Sequence, residues 1–407
     1  MSDLVALSQW REELAKRLPG LSGAEVRGLA EWSLGMVLSR SCALTAVSGW
    51  WAAATGQALG TVRQRLREWC YPVERKRGPN RHALVVEPCF AALLAWIIGQ
   101  WSGQQLALAL DATTLGDRFV VLAISVVYRG CAIPVAWAVV AGGQRGAWRP
   151  EWERLLAHLA GVVPTDWAVI VLADRGLYAR WLFTTIVRLG WHPFLRVNLG
   201  GTFRPAGSAQ FRSFRSFVPQ TDQRWAGAGT AFKSDTRRLH CTLLAWHGPG
   251  YADPWLILTD LPPEAADVAW YGLRAWIEQG FKVTKRAGWQ WHRTHMTHPD
   301  RAARLWLAIA VATLWLVSVG GAADADDGPL PLDDLVLRFP PRGRRRRATR
   351  LRLVGVFRRG WTLLLVALLH HAPPPLPAAF FPEPWPALPP PRPTRDAVAI
   401  APDLVAA

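Results

Sequence analysis

Cysteine is scarce in this 407-residue chain: Cys42, Cys70, Cys89, Cys131 and Cys241 are scattered, with no CxxC pair. That pattern argues against a zinc ribbon and a disulfide framework, and it fits a reducing compartment. Lysine is nearly absent, 5 residues beside 42 arginines, as a GC-rich coding sequence would give. Charge of either sign is low at 19%, while hydrophobic residues reach 51%, which excludes a disordered chain and supplies a sizeable core. No basic stretch leads into an apolar run at the start, where MSDLVALSQWREELAKR carries acids, so no secretory signal is expected. The longest strongly apolar run, 305–319, has 15 residues. A bilayer span needs about 20, so a buried helix is expected there. These absences point to a soluble, cytoplasmic protein with no membrane partner.

What is abundant is arginine, and it is clustered. Residues 338–359 hold ten arginines and no acid, 193–240 hold eight Lys or Arg against two Asp, and 61–81 hold seven against two acids. Net charge is +17, less than these blocks contribute together, so the rest of the chain is slightly acidic. Coding bias explains arginine in place of lysine but not three basic blocks beside an acidic remainder. Clustered basic charge is the footprint of a polyanion partner, because each neutralised phosphate releases counterions. The 24 tryptophans are expected mostly in the core rather than as base-stacking platforms.

At roughly 150 residues per domain the length suggests two or three domains. Residues 1–82 read as a helical N-terminal domain. Within it, 45–56 is followed by a break at Leu59-Gly60 and a second helix that Thr61 can cap. Val62, Leu66 and Trp69 share one face of that helix, leaving Arg63, Arg65 and Arg67 on its surface, compatible with a DNA-reading helix-turn-helix. A basic linker, 75–82, leads to a helix over 88–101. Three apolar runs then follow, 106–110, 119–128 and 131–140, the last two separated only by Arg129-Gly130, which predicts a three-strand meander. A helix over 151–159, a buried strand over 167–173, a helix reaching about Leu189 and a strand over 193–197 complete a β-β-β-α-β-α-β order. That order is the ribonuclease-H-like topology: an α/β mixed sheet flanked by helices. Residues 198–262 change character and predict a β-rich insertion. Helical periodicity returns over 264–285 and 300–319, completing the core over 263–320. Residues 321–407 run from acidic through arginine-rich to proline-rich, with the last stretch expected to be extended or disordered.

Asp111 follows the apolar run 106–110, and Asp174 ends another, 169–173. A carboxylate directly after a buried strand is costly unless a metal, a donor or water satisfies it. In 267–285 the residues Tyr271, Arg274, Glu278, Lys282 and Lys285 fall within about 80° of one another at 100° per residue. Leu273, Trp276 and Ile277 fall opposite and can bury against a sheet. One helix thus presents a carboxylate flanked by cations and a tyrosine hydroxyl.

The spacing Tyr-x2-Arg-x3-Glu-x6-Lys, here Tyr271, Arg274, Glu278 and Lys285, resembles the signature of a large group of bacterial insertion-sequence transposases of the DDE type. Asp111 in Leu-Asp-Ala-Thr and Asp174 in Ala-Asp-Arg-Gly match the family's first two acids, and Trp255–Thr259 is similar to the last strand of its insertion. The resemblance covers about residues 85–320. It implies that Asp111, Asp174 and Glu278 hold two Mg²⁺ ions, with Mn²⁺ as a substitute, about 3.5–4 Å apart for phosphodiester hydrolysis and transesterification. It further implies that Tyr271, Arg274 and Lys285, with Lys282 beside them, grip phosphates near the cut, and that Trp255 stacks a flipped base. The partners it implies are double-stranded DNA, both the element's terminal inverted repeats and the target, and a second copy in a synaptic dimer at the nucleoid. Two alternatives stand beside it: a ribonuclease-H-like nuclease without strand transfer, and a non-catalytic DNA-binding relic.

Overall fold

A computed structural model of the chain describes residues 2–76, 82–143, 146, 148–326 and 354–388. The arginine-rich 338–353, most of the basic linker and everything after 388 lie outside the described residues. The meander forms as β1 (Gln105–Leu115), β2 (Phe119–Tyr128) and β3 (Cys131–Ala141). Arg129 and Gly130, both at positive φ, turn β2 into β3, the backbone that a two-residue hairpin requires. Helix α6 (Arg149–Leu159) leads to β4 (Ala168–Ala173), parallel to β1, and α7 (Arg180–Arg188) to β5 (His192–Arg196), parallel to β4. The resulting order β3-β2-β1-β4-β5 is ribonuclease-H-like.

The insertion does not build a sheet of its own. Its strands β6 (Thr202–Pro205), β7 (Arg212–Ser213), β8 (Arg224–Ala231), β9 (Leu239–Trp246) and β10 (Trp255–Thr259) extend the core sheet to ten strands, joined where Leu258 pairs with Leu195.

Two expectations about the catalytic core need correction. Strand β1 does not end before Asp111, because its hairpin with β2 continues to Leu115↔Phe119 while the parallel ladder to β4 stops at Leu110↔Ala173. Asp111 therefore lies inside a strand, at the point where one of its two neighbours departs. The helix expected over 264–285 is not uniform. It is 3₁₀ over Val268–Arg274, α over Ala275–Lys282 (α8) and π over Val283–Ala287.

Four N-terminal helices, α1 (Ser2–Arg17), α2 (Gly23–Ser39), α3 (Leu44–Thr55) and α4 (Leu59–Trp69), precede α5 (Pro88–Ile98). Helix α4 begins two residues before Thr61, with Ala58 at its cap position, so Thr61 lies in the first turn and caps nothing. Val62, Leu66 and Trp69 are buried as their spacing predicts. Helix α9 (Pro299–Asp326) is the one described helix long and apolar enough to cross a membrane, yet 94% of its apolar window is buried within the protein. The N-terminal helices pack onto it, with Trp10 stacked on Trp315 at 3.9 Å. Eight tryptophans are among the largest fully buried side chains, which places them in the core rather than on a binding surface. Helix α10 (Val356–Leu369) crosses α9 at Gly320 and Gly360, where any Cβ would strike a carbonyl of the other helix.

The proline-rich stretch is extended through Leu388 and docked. Proline has no N–H to give, so its backbone enters as an acceptor. Trp315 donates to the Pro375 carbonyl at 2.7 Å, Gln100 to Pro377 at 3.1 Å and Arg129 to Phe381 at 2.6 Å. Arg129 is buried and also pairs with Asp324 at 2.7 Å, with Glu383 at 3.8 Å. Beyond it Trp385 packs on Trp270, and the Leu388 N–H donates to Asp267 Oδ2 at 2.9 Å.

Candidate active site

Alternation along β1 and β4 decides which side the acids take. Leu106, Leu108, Leu110, Val169, Val171 and Ala173 face the large core built around α9. Ala107, Ala109, Ile170 and Leu172 face the opposite, smaller core that α8 covers with Trp276 and Ile277. At a period of two, Asp111 and Asp174 both emerge on the α8 side. Because Leu110 and Ala173 are the last parallel pair, the two carboxylates leave neighbouring strands at the same level. Helix α8 can lie close to the sheet because Gly280 has no side chain: a Cβ there would sit 2.9 Å from the Ala132 Cβ.

The third acid arrives through a change of helix type. Asp267 caps the segment, accepting from the Ala269 N–H at 2.8 Å. In the 3₁₀ turn side chains at i and i+3 eclipse, which aligns Tyr271 with Arg274. The chain then relaxes to α, where i and i+4 are neighbours, and Arg274 donates to Glu278 Oε1 at 2.8 Å. The same guanidinium donates to Asp111 Oδ2 at 2.7 Å and lies 3.5 Å from Asp174 Oδ2. Three acids from three distant parts of the sequence therefore meet on one arginine. Its Nε is buried with no hydrogen-bond partner among the described residues.

The electrostatics follow from this packing. Burial pushes the Asp111 carboxyl above its ordinary value, opposed by Arg274 and by the Ala112 N–H that donates to it at 2.8 Å. Burial opposes the charge on Arg274, but Tyr271 and the three carboxylates hold its pKa above the usual value. Tyr271 is buried with its hydroxyl against Arg196 and Arg274, and burial pushes it up to about 12. Lys285 lies in the π segment, lowered by burial and by Arg286 and raised by Asp111.

Other expected site residues are placed differently. Lys282 is exposed and makes no ion pair among the described residues. Trp255 is 7% exposed and enclosed by Trp246, Tyr251 and Tyr271, with ring centroids 5.2–5.3 Å away, so it is not an open stacking platform. Arg65 is tied to Glu31 at 2.9 Å and to Gln57 at 3.0 Å, because the buried Glu31 carboxylate needs a cation. Arg67 lies over the Tyr71 ring, and Arg63 alone of the three is exposed and without a partner among the described residues. Sequence reasoning missed Arg196, which no motif marks. It also missed Asp267, whose place just before a helical segment was the signal available.

No three His, Cys, Asp or Glu side chains among the described residues converge closely enough to form a ready-made ion site. The three acids are instead drawn around a cation of the protein's own. As hard oxygen donors they suit Mg²⁺ or Mn²⁺ in kind, and as a set they already surround one positive charge.

A family model described as a transposase DDE domain matches residues 107–315, a span containing all three acids. Among solved structures the chain is similar to a piggyBac transposase, determined by cryo-EM in a synaptic complex with hairpin DNA. The identity is 11%, with 76% of this chain and 73% of that one covered and a TM-score of 0.39. No curated protein sequence matches the chain.

Proposed function

This chain belongs to the transposases with a DDE domain, and from that premise we propose that it cuts DNA at the ends of its own insertion element and joins the freed 3′-OH ends to target DNA. The observation that carries this reading is the meeting of Asp111, Asp174 and Glu278 on Arg274. Transposases of this family generally use divalent metal ions. Asp111, Asp174 and Glu278 would hold two of them, Mg²⁺ or Mn²⁺, which when bound supply an activated attacking oxygen and a stabilised leaving oxygen.

The rest of the work falls to the chain's own groups. Tyr271, kept protonated by burial and accepting from Arg196, has its phenolic hydrogen free to donate to a phosphate oxygen. Arg274 and Lys285 bring positive charge to the same place and orient the strand by its phosphates. The N-terminal residues 1–82, with Arg63 outermost on α4, supply the grip on the terminal repeats, and a second copy completes the synaptic assembly at the nucleoid. For Trp255 to receive a flipped base, the Tyr251 ring that covers it must move aside.

The test incubates purified protein with Mg²⁺ and a labelled duplex carrying the inverted repeats that flank its gene. The expected result is a metal-dependent nick at the repeat boundary followed by a joined product, absent from Glu278→Gln. Cutting with no joined product would favour a nuclease, and an intact bound duplex a DNA-binding relic.

A second expectation concerns Arg274. In Arg274→Gln the three carboxylates lose their internal cation, so a divalent ion gains affinity for the folded state and stabilises it by linkage. Millimolar Mg²⁺ should raise the melting temperature of Arg274→Gln more than that of the unaltered protein. Equal shifts in a thermal melt would refute the idea that this guanidinium and the ions compete.

A further inference from the structure

Where the end of α4 meets the start of α9, arginines gather that form no ion pair with the neighbouring Glu68, Glu74 or Asp300 among the described residues. Tyr71, just beyond α4, is buried, and two guanidinium groups lie over its ring: Arg301 of α9 at 4.1 Å from the centroid and Arg67 of α4 at 5.4 Å. Arg75 joins them from the short 3₁₀ turn that follows. Burial lowers the Arg301 pKa, Tyr71 beside it raises it, and the charges of Arg75 and Arg67 lower it further. None of the three has a carboxylate partner among the described residues. Some surface arginines are paired, as Arg149 is with Glu153, Arg154 with Glu87 and Arg175 with Asp253. Two like charges held over one aromatic ring, with a third a few residues along the chain and no ion pair to offset them, favour the arrival of an anion.

We propose that Arg67 and Arg301, organised on Tyr71, form with Arg75 a phosphate clamp that holds the backbone of duplex DNA at the junction between the N-terminal helices and the catalytic core. The inference rests on the reading of this chain as a protein that acts on DNA, and it names a contact that the signature residues do not include. Cation–π contact holds the Arg67 and Arg301 guanidinium groups over the ring, and neither donates to a carboxylate among the described residues, which leaves their N–H groups for bidentate recognition of phosphate. Arg67 and Arg301 lie more than 200 positions apart in the sequence, so the clamp exists only when both parts of the fold are assembled. A contact of this kind positions the duplex relative to the three acids and reads no bases.

The experiment measures binding of the full chain to a labelled duplex by fluorescence anisotropy, without divalent metal, from low to high salt. A random-sequence duplex and one carrying the element's end are compared. Each phosphate contact contributes about 0.9 to the slope of log K against log salt. Arg75→Gln and Arg301→Gln should each reduce the steepness by about that amount, equally on both duplexes, while Arg301→Lys retains it. Arg154→Gln, which breaks only a surface pair, should leave the slope as it was. Arg75 is exposed, so its variant tests the clamp even where Arg301→Gln folds poorly. Unchanged slopes for Arg75→Gln and Arg301→Gln would overturn the clamp, as would a loss confined to the element's end. Because no cleavage is measured, the outcomes separate. A chain that cuts DNA with normal slopes in both variants loses only the clamp. One that never cuts but shows the reduced slopes keeps the clamp and loses the catalytic reading.

Discussion

Glu278→Gln and Asp111→Asn proteins will bind the element's end as the unaltered protein does and leave it uncut. Both substitutions keep side-chain shape and remove one negative charge. Arg274 retains two of its three carboxylates in either variant, so the local fold survives. The loss falls instead on the reaction, because stabilising charge at a transferring phosphoryl group contributes several kcal/mol and each 1.36 kcal/mol is a factor of ten. Single-turnover cleavage should fall by about a thousandfold or more, read on a denaturing gel. Anisotropy on the same duplex should move by less than about twofold, since binding at long range is carried by arginines elsewhere. Asp174→Asn should behave alike, although its side chain is 36% exposed and only 3.5 Å from the guanidinium. If all three variants lost binding together with cleavage, the acids would be structural and the assignment would fail.

The second large effect is on stability. Arg129→Met keeps the bulk of the side chain and removes the cation that faces Asp324 and Glu383 in a pocket where all three are under 10% exposed. Breaking a buried pair by removing one partner costs about 3–5 kcal/mol, because the remaining charge has neither water nor a counter-ion. Arg359, at 3.9 Å from Asp324, offers partial compensation and puts the expected loss near the lower end. The Phe381 carbonyl loses its donor at the same time, so the C-terminal strap loosens. Urea unfolding would measure the loss. Adding Asp324→Asn to Arg129→Met should recover a good part of it, as a double-mutant cycle would show. A cost below about 1 kcal/mol would mean that water reaches the pair.

Much of this architecture was legible in the sequence because it rests on local signals. The meander and both crossovers follow from short apolar runs and from Arg129-Gly130 at the turn. The order β1 to β5 follows from the same runs. Where local signals were weak, reading failed. No propensity distinguishes 3₁₀ or π turns from α, yet those turns set how Tyr271, Arg274 and Lys285 line up. The end of β1 was misread because a strand's length depends on its partner, and β2 carries the pairing past Asp111. For Trp255, implied to stack a flipped base, the motif does not report that Trp246, Tyr251 and Tyr271 pack around it. The convergence of three acids on Arg274 is a purely tertiary fact, invisible until β1, β4 and α8 are set side by side.

The strap that reaches Asp267 through Leu388 gives the site an order of manufacture. Asp267 caps the turn that aims Tyr271 and Arg274, and its second carboxylate oxygen is held by the Leu388 N–H. Asp111, Asp174 and Glu278 all leave the ribosome well before Leu388 is made. A nascent chain therefore carries all three site acids before it carries the residue whose N–H holds the Asp267 carboxylate, and the bond from the strap to that cap is the last of these contacts to form.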